Sequence, residues 1–228
     1  MKKYLSLIFV MACCVFLAAP TVMANTYGFF PITDNGNGAA LLAPQLHAVV
    51  TEVTNPADPG DVGDVRFQFY NAGPIVGSIT DIYFDDGSLL GIAEIVDSGA
   101  GVAFNTPATP GELPGANNAN PIFVTSAGFS ADSDSPVSEN GAGVGEWVAI
   151  IFALQNGQTF NDVIGQLDSG ELRMGLHVQA IGTAGGSDAF VNDGEEGTNG
   201  KVPEPATLLL LGSGLVGLAG YGGKKIKK

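Results

Sequence analysis

The chain has 228 residues and is acidic, with 23 Asp and Glu against nine Lys and Arg, a formal net charge of −14. Residues 25–202 keep only Arg66, Arg173 and Lys201 against 22 of the acids, a formal charge of −19. Such a surface repels nucleic acid and anionic lipid, so DNA and RNA are excluded as partners. The start reads as a secretory signal peptide over residues 1–24: Lys2 and Lys3, an apolar run from Leu5 to Ala19, then Val22-Met23-Ala24 before a cut between Ala24 and Asn25. Both cysteines, Cys13 and Cys14, fall within it, so the exported part carries no disulfide, thiolate or cysteine-bound metal. Its stability rests on burial alone, which asks for a substantial core.

Residues 25–192 read as a single acidic domain, punctuated by Gly, Asn, Ser, Asp and Pro every eight to twelve residues. That rhythm predicts an all-β antiparallel two-layer β-sandwich, jelly-roll-like, from about residue 46 to residue 191. Just before its first clear strand, Asp58, Asp61 and Asp64 place three carboxylates on a glycine-containing loop. Calcium takes six to eight oxygens, and this loop is the leading candidate metal site, ahead of Asp132 with Asp134 and Glu195 with Glu196. The spacing is not that of an EF-hand, and a solvated turn explains it as well. No other cofactor is expected.

Residues 64–71 alternate strictly, with Val65, Phe67 and Phe69 inward and Arg66, Gln68 and Tyr70 outward. Residues 79–84 and 89–96 are further strands, joined as a hairpin through Asp85-Asp86-Gly87. Residues 131–143 read as a polar loop holding Asp132 and Asp134. Residues 147–154 are apolar on both faces, which predicts a central strand with Trp147 and Ile151 in the core alongside Ile82 and Phe84. One short helix is expected at residues 161–167, capped by Thr159 with Asp162 completing a capping box. Residues 172–181 alternate again, with Met174, Leu176 and Val178 inward and His177 and Gln179 outward.

Residues 193–205 form an acidic linker ending in Pro203-Glu204-Pro205. An uncharged apolar run of 18 residues, 206–223, follows, at the lower length limit for a transmembrane helix. Residues 224–228 carry four lysines, which would keep the tail cytoplasmic. Dipeptide signal, apolar helix and basic end, in that order, resemble the PEP-CTERM sorting signal of Gram-negative bacterial surface proteins. The resemblance implies export through the secretion machinery and transient anchoring in the inner membrane. It also implies processing by exosortase near Pro203-Glu204-Pro205, and a destination at the cell surface or in the extracellular polysaccharide matrix. An ordinary C-terminal anchor is the plainer alternative.

No enzyme motif is present: there is no nucleophile elbow, zinc-protease helix, phosphate loop or dinucleotide fingerprint. The expected role is a non-enzymatic structural or binding protein of the surface or matrix, with exopolysaccharide as a candidate partner. Two alternatives stand beside it, a calcium-dependent carbohydrate or adhesion module and a surface glycan hydrolase. The hydrolase would need a carboxylate pair such as Asp85 or Asp86 with Glu94.

Overall fold

A computed structural model describes residues 24–36, 38–53, 64–85, 90–126 and 129–192. Ten strands form the fold: β1 (Ala24–Pro31), β2 (Leu46–Val53), β3 (Asp64–Asn71), β4 (Ser78–Asp85), β5 (Leu90–Asp97), β6 (Phe104–Asn105), β7 (Ser130–Ser133), β8 (Glu146–Leu154), β9 (Arg173–Ile181) and β10 (Gly186–Asn192). All pairings are antiparallel, in the order β5-β8-β3-β2-β1-β10-β9-β4-β7-β6. Among the described residues three α-helices accompany them: α1 (Ala39–Leu42), α2 (Val137–Asn140) and α3 (Phe160–Ser169).

The predicted two-layer sandwich needs one correction. Strand β1 hydrogen-bonds into both halves, pairing β2 through Ala24 to Gly28 and β10 through Phe29 to Pro31. The two halves are therefore one ten-stranded sheet wrapped around its core and nearly closed into a barrel. At the seam, the Asp97 carboxylate on β5 accepts a hydrogen bond from the Phe104 amide of β6. Closure of this kind leaves little bare strand edge to template aggregation.

Alternation places the core. Val65, Phe67 and Phe69 of β3, Ile82 and Phe84 of β4, and Met174, Leu176 and Val178 of β9 are all fully buried. Phe84 is the hub between the halves, with ring centroids 5.2 Å from Phe67, 6.0 Å from Phe69 and 4.8 Å from Phe152, all edge-to-face. Edge-to-face contact sets the positive ring edge against a neighbour's negative face, which adds to plain burial.

Strand β8 corrects a prediction about parity. Val148, Ile150 and Phe152 are buried, so Trp147 and Ile151 point outward and are only half-buried. A strand apolar on both faces carries no alternation from which to read its inner side. The hairpin expected between β4 and β5 does not form either: β4 pairs with β7 and β9, and β5 pairs with β8. From Ser78 to Phe84, β4 is buried at every position, so it needs a partner on both sides. Residues 131–143 are not a loop throughout. Ser130–Ser133 pairs with both β4 and β6, and Val137–Asn140 makes a helical turn. Two buried serines hid this strand, because their hydroxyls are satisfied only in the folded chain: Ser130 Oγ accepts from the Ala108 amide at 3.1 Å, and Ser133 Oγ donates to the Val137 carbonyl at 2.8 Å.

The main helix stands as predicted, with its full capping box: the Thr159 amide donates to Asp162 Oδ2 at 2.7 Å and the Asp162 amide to Thr159 Oγ1 at 3.4 Å. It buries Phe160, Val163 and Leu167, and the Tyr27 hydroxyl donates to Asp168 Oδ1 at 3.0 Å, tying α3 to β1. The expected single helix is joined by the one-turn helices α1 and α2, too short to show a helical period in sequence. No described helix is long and apolar enough to cross a membrane. The expected transmembrane run at 206–223 lies outside the described residues.

Candidate functional site: a bare sheet face and the sorting motif

The outer faces of the two halves differ. Over β4, β9 and β10, the segment 105–126 forms a second apolar layer in which Leu113 and Phe123 pack with Tyr83, Ala189 and Val191. Gly175 permits this approach: a Cβ there would stand 2.8 Å from Leu113 Cδ2 and 3.0 Å from Phe123 Cζ. Polar groups beneath the segment are consumed in holding it. Asp81 Oδ2 accepts from the Thr80 hydroxyl at 2.7 Å and lies 2.9 Å from His177 Nδ1. The Tyr83 hydroxyl donates to the Pro110 carbonyl at 3.0 Å, and the Thr109 amide to Asp132 Oδ2 at 3.3 Å. Burial, reinforced by the charge of Asp81, pushes the Tyr83 phenol well above its usual range and keeps it a donor. Burial likewise raises the Asp132 carboxyl, with Asp81 adding repulsion. His177 and Asp81 thus serve as a clasp beneath a fixed segment.

The other outer face, across β1, β2, β3, β8 and β5, has no described element over it. Register lines up three residues on adjacent strands: His47 of β2 opposite Tyr70 of β3, and Tyr70 opposite Trp147 of β8. The His47 and Tyr70 rings stack with centroids 4.9 Å apart and planes at 7°. The Arg66 guanidinium, on the same face, sits 5.2 Å from the Trp147 ring centroid. Gly28 of β1 continues the row opposite His47, and nothing lies within 4 Å of where its Cβ would be. The next row runs Thr26, Val49, Gln68, Ala149 and Val96, and the third runs Thr51, Arg66, Ile151 and Glu94. The result is a broad face carrying aromatic rings, hydrogen-bonding side chains and one cation.

Burial holds the His47 imidazole below its ordinary value of 6.5, against an opposing hydrogen bond to the Gln45 backbone. The sign follows directly. Unfolded His47 binds a proton near pH 6.5 that the folded ring resists, so its contribution to stability is full above 6.5 and is lost as pH falls through the folded value. An NMR titration of the His47 ring protons should give a midpoint below 6.5, rising toward 6.5 on unfolding in urea.

Other sequence-predicted residues fall as follows. Asp58 and Asp61 lie outside the described residues, and Asp64 opens β3 opposite Val53. Among the described residues no three His, Cys, Asp or Glu side chains converge on a metal position. Asp85 and Glu94 are not brought together: Asp85 is paired with Arg173, while Glu94 lies on β5 in the other half of the sheet. Asp86 is outside the described residues. Ala24 and Asn25 begin β1, opposite Thr51 and Val50, so a cut between them would remove only the first residue of that strand. Sequence reading missed the aromatic row itself. It placed Tyr70 outward but put Trp147 in the core.

Pro203, Glu204 and Pro205 lie outside the described residues. No curated protein and no solved structure matches the chain. Residues 201–225 do match the model of the PEP-CTERM protein-sorting motif. That span takes in Pro203-Glu204-Pro205, the whole apolar run and the first two lysines after it. The chain therefore carries the PEP-CTERM sorting signal, which implies export, C-terminal membrane anchoring and processing by exosortase.

Proposed function

We propose that the exported domain is a non-enzymatic binding protein of the cell surface or extracellular matrix, and that its bare sheet face takes extracellular polysaccharide. The observation that supports this most is the in-register row His47, Tyr70 and Trp147 with Arg66 beside it, on the face that no described segment covers. Trp, Tyr and Arg are the side chains that concentrate binding energy at recognition surfaces, because they offer large rigid area with a polar handle. Sugar rings present apolar C–H faces and a rim of hydroxyls, and this surface pairs aromatic area with Gln68, Thr51 and Glu94 as hydrogen-bonding groups. The −19 charge of residues 25–202 favours neutral or cationic polymers over polyanionic ones.

Affinity electrophoresis through gels containing the producing organism's extracellular polysaccharide tests this reading. The wild-type domain should be retarded, and Trp147→Ala and Tyr70→Ala should each weaken retention at least about tenfold, as for loss of a central anchor. A control in the covered half, Val76→Ser, should migrate like wild type. Retention unchanged by both aromatic substitutions would remove this face from the function.

Processing is a separate proposal with its own readout. Mature protein from the producing cell should start at Asn25 and lack Lys224 to Lys228, by intact mass. Replacing Glu204 with alanine should leave the anchored form in the membrane fraction. Mature chains that keep the four terminal lysines would reduce the tail to a simple anchor.

A further inference from the structure

Six large apolar side chains stand exposed among the described residues: Phe30, Leu41, Val76, Ile122, Val124 and Val144. They fall into two groups. Leu41 lies in α1 before β2, Val76 before β4 and Val144 before β8. The starts of these strands share one end, since Leu46 and Glu146 both pair with Asn71. Phe30, Ile122 and Val124 flank the place where the chain leaves the barrel. Asn192, the last described residue, accepts from the Met174 amide through Oδ1 at 2.6 Å. The preceding residue, Arg173, donates to the carbonyls of Pro121 and Ile122, both at 2.7 Å. Phe30 is paired with Val191, one position before that exit.

This apolar group is held rigidly. Arg173 is ion-paired with Asp85, whose Oδ2 also accepts from the Val124 amide at 3.1 Å. Between the two outward residues, Phe123 is buried against the sheet with the Arg173 guanidinium 5.3 Å from its ring centroid. Ile122 and Val124 are thereby fixed outward, each 59 % exposed. An extended segment clamped at three backbone groups does not fold its apolar side chains away from water.

We infer that Phe30, Ile122 and Val124 form a rim that rests in the headgroup layer of a zwitterionic bilayer while the chain is anchored through residues 206–223. The inference rests on the anchoring that the sorting motif implies, and is independent of the polysaccharide reading. Residues 193–205 join the exit to the apolar run, a tether of at most roughly 45 Å at about 3.3–3.6 Å per residue. Contact between rim and bilayer is then intramolecular, with an effective concentration on the order of millimolar. An apolar contact too weak to recruit a free domain is sufficient under those conditions. Apolar side chains beside a polar surface are what lies in the plane of an interface. The headgroup class follows from charge. Arg173 neutralises Asp85 at the rim, but Asp168 and Glu171, just before Arg173 in the chain, stand exposed, so anionic lipid repels it.

The test uses the chain from Asn25 to Lys228, which contains no cysteine, with single cysteines placed at Ile122→Cys or Val76→Cys and labelled with an environment-sensitive fluorophore. Each is reconstituted into phosphatidylcholine vesicles containing nitroxide-labelled lipid. The expected result is a blue shift and loss of emission at position 122, neither at position 76, and recovery of emission at 122 when Phe30→Ser and Val124→Ser are added. Replacing a third of the lipid with phosphatidylglycerol should weaken the quenching. Equal quenching at both positions, or none at either in a chain that floats with the vesicles, overturns the rim alone. Quenching that appears only when exosortase is present overturns it too, and assigns the rim to a protein. A chain that does not float with vesicles overturns the anchor and the rim together.

Discussion

Phe84→Ala is expected to destabilise the domain by about 3–5 kcal/mol, the range for deleting a fully buried phenylalanine. Phe84 is fully buried and meets Phe67, Phe69 and Phe152 edge-to-face from the opposite half of the sheet. The cavity it leaves would be lined by rings from β3 and β8, strands whose mutual pairing prevents them from closing in. Transfer and cavity costs therefore add with little relief. A lowered urea midpoint at unchanged slope is the signature of lost stability without a changed unfolded state. Phe84→Leu should recover more than half of the loss. Phe67→Ala should cost a similar amount, since Phe67 is equally buried and touches both Phe84 and Phe152. If either alanine variant unfolds at the wild-type midpoint, the two halves do not meet through these rings.

Strict alternation made this part of the fold legible. Val65, Phe67 and Phe69 against Arg66, Gln68 and Tyr70 allow one register only, because a slip of one residue exchanges core for solvent. The same holds for Met174, Leu176 and Val178. The capping box of α3 was legible because Thr159 and Asp162 satisfy each other within four residues, without help from the rest of the fold. What failed was non-local. Strand β8 is apolar at both parities, so Trp147 carried no label of inside or outside until β3 and β5 took their places beside it. Strand β7 is stabilised by hydroxyls that find partners only after folding. A turn signal at Asp85-Asp86-Gly87 suggested a hairpin, but such a signal says that a chain bends, not which strand it meets next. The β1 corner, hydrogen-bonded to β2 and β10 in turn, had no local mark at all.

The candidate site divides along the same line. The sorting motif is linear, so its order of residues is its whole content and sequence sufficed. The aromatic row is a product of register. His47, Tyr70 and Trp147 are separated by 23 and 77 positions in the chain, and only the β2–β3–β8 pairing makes them neighbours. A surface assembled across strands cannot be read from any one strand.

Arg173→Met is expected to cost about 3–5 kcal/mol, the range for removing one member of a buried ion pair. Arg173 is 9 % exposed and its substitution strips three acceptors at once: the Asp85 carboxylate and the carbonyls of Pro121 and Ile122. Methionine keeps most of the stem's packing, so the loss measures abandoned polar groups rather than a cavity. Asp85 retains the Val124 amide and is the more exposed member, which places the expected value toward the low end of the range. The damage should be local as well as global. Amides of residues 116–125 should exchange faster by hydrogen–deuterium measurement, while those of β2, β3 and β8 keep their relative protection. Adding Asp85→Asn removes the stranded charge, so the double variant should be more stable than Arg173→Met alone. If the double variant is instead less stable by the sum of the two single losses, Arg173 and Asp85 act independently and the clamp on this segment is not an ion pair.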